Sequence, residues 1–125
     1  MESDPERRRR GLEKMAEVYG WEVSDGEGDF FGYTVEHLFG DVWQRPGLTT
    51  RERRLLLIGL LVGGNHHDVT PIQLGAALGV GELDEEALRE IVVFFAHYAG
   101  WPAAARLFGQ VEKVIGDAAR TEETP

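Results

Sequence analysis

No cysteine occurs among the 125 residues. That absence excludes disulfides, thiolate nucleophiles, iron–sulfur clusters and cysteine-ligated zinc, so any chemistry falls to oxygen and nitrogen groups. Positive charge is also scarce: 13 Lys and Arg stand against 22 Asp and Glu, a formal net charge of −9. The largest basic cluster, Arg7 to Arg10, lies among Asp4, Glu6 and Glu13. A field of this sign argues against general binding of nucleic acid or of an anionic membrane. Long apolar runs are missing too. The longest, LLLIGLLVGG at 55–64, falls well short of the roughly 20 residues that a membrane-spanning helix needs. The chain opens without a charged segment leading into an apolar one and a cleavage site, so a cytoplasmic protein is expected.

What is present is the composition of an ordinary folded domain, 42% hydrophobic and 28% charged, and its length suits one core spanning 1–125. Helical periodicity dominates. Leu12, Met15, Ala16 and Tyr19 recur at helical spacing after Pro5, and Gly20 is a natural stop. A second helix is read from about Phe30 to Trp43, with Val35, Leu38, Phe39 and Val42 on one side and Glu36 off it, before Pro46 and Gly47. GLTTRERRLLLIGLLVGG starts a third helix capped by Thr49 or Thr50. Arg51, Arg53 and Arg54 near its N-terminus oppose the helix dipole and call for partners elsewhere. Its apolar run has no polar side, which predicts a central, enclosed helix.

TPIQLGAALG reads as a helix start with Thr70 as N-cap, Pro71 in the first turn and Gln73 closing a Thr-x-x-Gln capping box. Asp84 caps a fifth helix whose stripe of Leu88, Ile91, Val92, Phe95 and Ala99 faces one way, with Glu90, Val93 and His97 nearly opposite. A sixth begins near Pro102 and ends near Gly116, leaving 117–125 as a frayed tail. No strand-period segment or repeat is visible. The fold class is all-α, a single domain of about six helices.

The chemistry-bearing candidates sit at the junction after the apolar run and on the fifth helix. In NHHD, His66 and His67 are imidazoles beside the carboxylate of Asp68, a set able to move a proton to or from an enolate-like carbon. The same residues would equally serve to satisfy orphan carbonyls and N–H groups where two helices meet. No metal site is expected, because adjacent histidines on a helix face different ways and His-His-Asp lacks a ligand spacing. His97 would complete a pocket wall or be a buried histidine with one hydrogen bond. Trp43 and Arg45 are candidates for substrate contact, Arg45 through its guanidinium, although both residue types serve as readily in a core or an ion pair. His37 has no motif around it.

FGDVWQRPGLTTRERRLLLIGLLVGG and LREIVVFFAHYAGWPAAARLFGQVEKV resemble the signature blocks of the carboxymuconolactone decarboxylase and alkylhydroperoxidase D-like family. The resemblance implies an all-helical bundle that assembles into homo-oligomers, trimers or hexamers. It also places the family's chemistry at the junction following the central helix. The peroxidase branch needs two cysteines and a histidine there; Gln73 stands at the histidine's position and cysteine is absent, so disulfide cycling has no mechanism. The decarboxylase branch implies acidic groups and a histidine; His67 and Asp68 fall near the acidic positions, and Gln73 again replaces the histidine. Phe94 stands where many relatives carry another histidine, with His97 one turn later. The expectation is an enzyme without cofactor acting on a lactone, enol or other carbonyl compound. His66 or His67 is its acid or base, Asp68 orients that residue, His97 lines the pocket, and Gln73, Arg45 and Trp43 contact a small-molecule substrate. The competing expectation is an oligomeric binding protein that kept the scaffold and lost the chemistry.

Overall fold

The computed structural model describes residues 4–123, and its regular elements among them are helical: α1 (Pro5–Tyr19), α2 (Asp29–Gly32), α3 (Thr50–Gly63), α4 (Thr70–Gly79), α5 (Glu85–Tyr98) and α6 (Trp101–Glu123). Asp4 caps α1 by accepting from the backbone N–H groups of Glu6 and Arg7. Thr49 and Glu52 form a reciprocal capping box on α3, and Asp84 caps α5 through the N–H of Ala87 at 2.8 Å.

The second helix is not the single element that its periodicity predicts. After α2 the backbone widens into a π-helical stretch, Tyr33–Phe39, and a separate 3-10 turn covers Val42–Gln44. Through this stretch Val35, Glu36 and Phe39 are all buried, so Glu36 lies inside rather than away from the apolar side. Its carboxylate accepts from Arg8 Nη1 at 3.0 Å and from the N–H of Asp4 at 2.6 Å, which explains why it tolerates burial. α1 crosses this stretch so closely that a Cβ on Gly11 would lie 2.0 Å from the carbonyl oxygen of Val35.

Two apolar clusters result. Met15, Val18, Val35, Phe39 and Trp43 form one on the α1 side. The other joins Ile58 and Val62 of α3, Leu74 and Ala77 of α4, Leu88 of α5 and Leu107 and Val111 of α6. Between them lies Arg54, which is fully buried. Its Nε and Nη2 donate to Glu82 Oε2 at 3.0 and 2.7 Å. Nη1 donates to Gln73 Oε1 at 2.9 Å and to the carbonyl of Val18 at 2.5 Å, and Nη2 to that of Glu17 at 3.3 Å.

Three expectations are corrected here. The cap of α4 is Val69, without a side-chain bond, and Thr70 lies inside the helix with Oγ1 donating to the carbonyl of His66 at 3.0 Å; Gln73 points to Arg54, so no capping box forms. α3 is not enclosed on all sides: Ile58 and Val62 are buried, yet Leu56 and Leu60 are 63% and 67% exposed. α6 continues to Glu123 instead of ending near Gly116. Asp117 supports the added turns through Lys113, whose ammonium at 2.9 Å holds the carboxyl below its ordinary value, and through Arg120.

Arg54→Ala leaves the partly buried carboxylate of Glu82 without its cation and the carbonyls of Glu17 and Val18 without their donor, and is expected to destabilise the fold by about 3–5 kcal/mol in urea unfolding. Arg54→Met combined with Glu82→Leu should lose less than the sum of the two single changes. Additive losses would mean that Arg54 and Glu82 are not energetically coupled.

Candidate active site

α3 ends in a Schellman motif. Asn65 takes the left-handed conformation at φ 61, and the N–H of His66 donates to the carbonyl of Leu61 at 2.8 Å. The histidine pair therefore starts from a fixed backbone. His66 is exposed; His67 is half-buried, its Nε2 3.3 Å from Asn65 Oδ1 and its carbonyl accepting from Gln110 Nε2 of α6 at 2.6 Å. Asp68 is exposed and makes no hydrogen bond or ion pair among the described residues. None of the three lines a cavity with His97. The junction satisfies backbone groups and ties the start of α4 to α6.

His97 is placed differently. It lies on the outer side of α5, with Nδ1 2.8 Å from the carbonyl of Val93 and its ring edge-on to Trp101 at 5.8 Å. A carbonyl only accepts, so Nδ1 carries the proton in the neutral ring and Nε2 holds the lone pair. His97 lines a groove of about 350 Å³ between α5 and α6, whose other walls are Val92, Val93, Ala96, Trp101, Ala104, Ala105 and Phe108. It is the one titratable side chain there.

A second groove, of about 400 Å³, runs along the opposite flank of α5 against α3, with Leu55, Ile58, Ala87, Ile91, Phe94 and Phe95 among its walls and Arg51 and Glu90 as its charged groups. Phe94, at the position where the resemblance implies a histidine, packs with its ring tilted 32° against that of Tyr98, the centroids 4.9 Å apart. The remaining sequence candidates lie apart from both grooves. Trp43 is a core residue stacked on Phe39 at 5.8 Å. Arg45 is exposed and unpartnered among the described residues. Gln73 is 5% exposed and bound to Arg54. The structure therefore does not bring His66, His67 and Asp68 into one cavity with His97.

Sequence reasoning missed Glu36 as a buried acid, Glu82 as the partner of Arg54 and Glu90 as a groove residue. The one available signal was the run of arginines opposing the α3 dipole, which demanded distant acceptors without identifying them. Among the described residues no three His, Asp or Glu side chains are grouped as metal ligands, and no helix is long and apolar enough to cross a membrane.

These features define a class first, an all-helical bundle with a groove on each flank of one amphipathic helix and with the chemistry of nitrogen and oxygen acids and bases. The chain belongs to the carboxymuconolactone decarboxylase family, whose model matches residues 28–113. It is 30% identical over 123 residues to the 4-carboxymuconolactone decarboxylase of Acinetobacter baylyi, covering 92% of this chain and 91% of that protein. It is also 34% identical over 83 residues to nitrosuccinic acid decarboxylase of Metarhizium robertsii, covering 66% of this chain and 57% of that protein.

The bond to Val93 generates a direct test. In nitrogen-15 spectra of the neutral form, His97 should be the Nδ1–H tautomer, with a proton-free Nε2. A proton found on Nε2 would overturn the assignment of the Nδ1 bond to Val93.

Proposed function

We propose that the chain is a cofactor-independent decarboxylase of small carboxylic acids that carry an electron sink next to the scissile bond, with His97 as the proton donor. The acids named in the two relatives share this logic, since an unsaturated lactone or a nitro group can take up the electron pair left behind by carbon dioxide. In the reaction, the bond between the substrate carbon and its carboxylate breaks, carbon dioxide leaves, and the pair passes into the sink. The imidazolium Nε2–H of His97 then protonates the carbon and the ring becomes neutral.

The observation that carries this reading is the position of His97, a histidine that lines the α5/α6 groove and whose Nδ1 is fixed by a backbone carbonyl. The apolar walls suit the step. A carboxylate loses hydration against Val92, Ala96 and Phe108, whereas the transition state spreads its charge and needs that water less. In this reading His66, His67 and Asp68 shape the junction that positions α4. A second reading, a binding protein without turnover, is favoured by Gln73, an uncharged amide engaged by Arg54 at the position where the resemblance implies the family histidine.

Carbon dioxide release from 4-carboxymuconolactone and from nitrosuccinic acid decides between them. His97→Gln should lower the rate by about 10²–10⁴-fold with an unchanged thermal midpoint. Binding of either acid with no release of carbon dioxide would establish the second reading.

The proposal includes a homo-oligomer, a trimer or hexamer. Leu56, Leu60, Tyr98 and Trp101 are 63%, 67%, 80% and 67% exposed, an apolar load that a lone chain would leave in water. Leu56→Glu with Leu60→Glu is expected to lower the mass measured by light scattering to that of fewer subunits. An unchanged mass would place the contact elsewhere.

A further inference from the structure

The groove between α3 and α5 has no part in the reaction assigned to His97, and among the described residues its two charged groups, Arg51 and Glu90, make no ion pair. Arg8, Arg9, Arg54 and Arg89 all pair with carboxylates. Arg51 does not: its Nε donates to the carbonyl of Glu82 at 3.0 Å, and among the described residues both Nη groups remain uncommitted. A guanidinium anchored at Nε is preoriented, and its two Nη groups present the fork that a carboxylate accepts. Glu90, from α5, lines the same groove and is likewise unpaired among the described residues. Between these charges the walls are apolar, with Ile91 of α5 and the rings of Phe94 and Phe95.

We infer that this groove is a second ligand site, for a hydroxy acid with an aryl or alkyl body. The carboxylate sits on the Nη fork of Arg51. The hydroxyl donates to Glu90, a pure acceptor that repels a second anion. The body lies against Ile91 and Phe95. At about 400 Å³ the groove is of the size that encloses a small organic ligand. In a chain of net charge −9, a single unpaired cation beside apolar walls selects monoanions over more highly charged ones.

The probe is 3-phenyllactate, titrated into the intact nitrogen-15-labelled chain and compared with 3-phenylpropanoate, which lacks the hydroxyl, and with 3-phenyl-1,2-propanediol, which lacks the carboxylate. Saturable shifts are expected at the amides of Leu55, Ile91 and Phe95, with phenyllactate the tightest of the three. Arg51→Gln should weaken phenyllactate by about tenfold or more and leave the diol unaffected. Arg51→Lys should retain part of the affinity, and Glu90→Ala should erase the preference for phenyllactate over phenylpropanoate. His97→Gln should change none of this, so failure of the decarboxylase reading leaves the test intact. Three results would overturn the inference: shifts confined to the α5/α6 groove, equal affinity after Arg51→Gln, or a changed oligomeric mass of Arg51→Gln, which would show a second copy filling the groove.

Discussion

The rest of the structure depends on the buried guanidinium of Arg54. An arginine has five N–H donors, and here each meets an acceptor: Glu82 twice, Gln73, and the carbonyls of Glu17 and Val18. Those acceptors come from the last turn of α1, the middle of α4 and the connection between α4 and α5. A charge with no exposure is tolerable only under such complete satisfaction, since an ion moved out of water loses several kcal/mol of hydration. The constraint is geometric as well as energetic. α1 cannot slide along α4, nor the Glu82 loop move away from α3, without orphaning a donor, so the two apolar clusters on either side are held in one relation.

That fixed relation places α5. Leu88, Ile91, Val92 and Phe95 turn to the core built on α3 and α6, and the opposite side of the helix stays open. A helix with one packed stripe leaves a trough along each flank. Against α3 the trough receives Arg51 and Glu90, and against α6 it receives His97 and Trp101. Both troughs are therefore consequences of packing rather than separate inventions of the chain, and their differing chemistry comes from a few side chains on the rims.

Local signals were read correctly where a few neighbouring residues decide the outcome. The N-cap offered to Thr49 or Thr50, which Thr49 takes, the Asp84 cap and the stop at Gly20 are of this kind, because each closes its hydrogen bonds within one turn. Gln73 shows the opposite case. Thr-x-x-Gln matches a capping box, but a charged donor 19 positions away in sequence is a stronger partner for the amide than a neutral N–H, and the tertiary bond wins. Glu36 follows the same rule, drawn inward by Arg8 across 28 positions. The apolar run of α3 misled for another reason: hydrophobicity records burial without saying whether the same chain or another supplies it, and Leu56 and Leu60 face outward here. At NHHD both readings were open from the residues alone. Which one a histidine serves depends on which cavity it lines, and no periodicity carries that.

The glutamine at position 73 links the scaffold to the chemistry. An imidazole there would lie beside the Arg54 guanidinium, where a second positive charge is disfavoured, and it would be restricted to accepting from the arginine. The amide oxygen of Gln73 accepts the same bond with no proton of its own to exchange. A chain so built has a rigid centre and cannot protonate a substrate from it. Phe94, its ring tilted against Tyr98, takes the other histidine position that the resemblance implies. In the proposed reading the proton donor is His97, one turn further on, whose Nδ1 bonds the carbonyl of Val93 and whose side chain lines the α5/α6 groove.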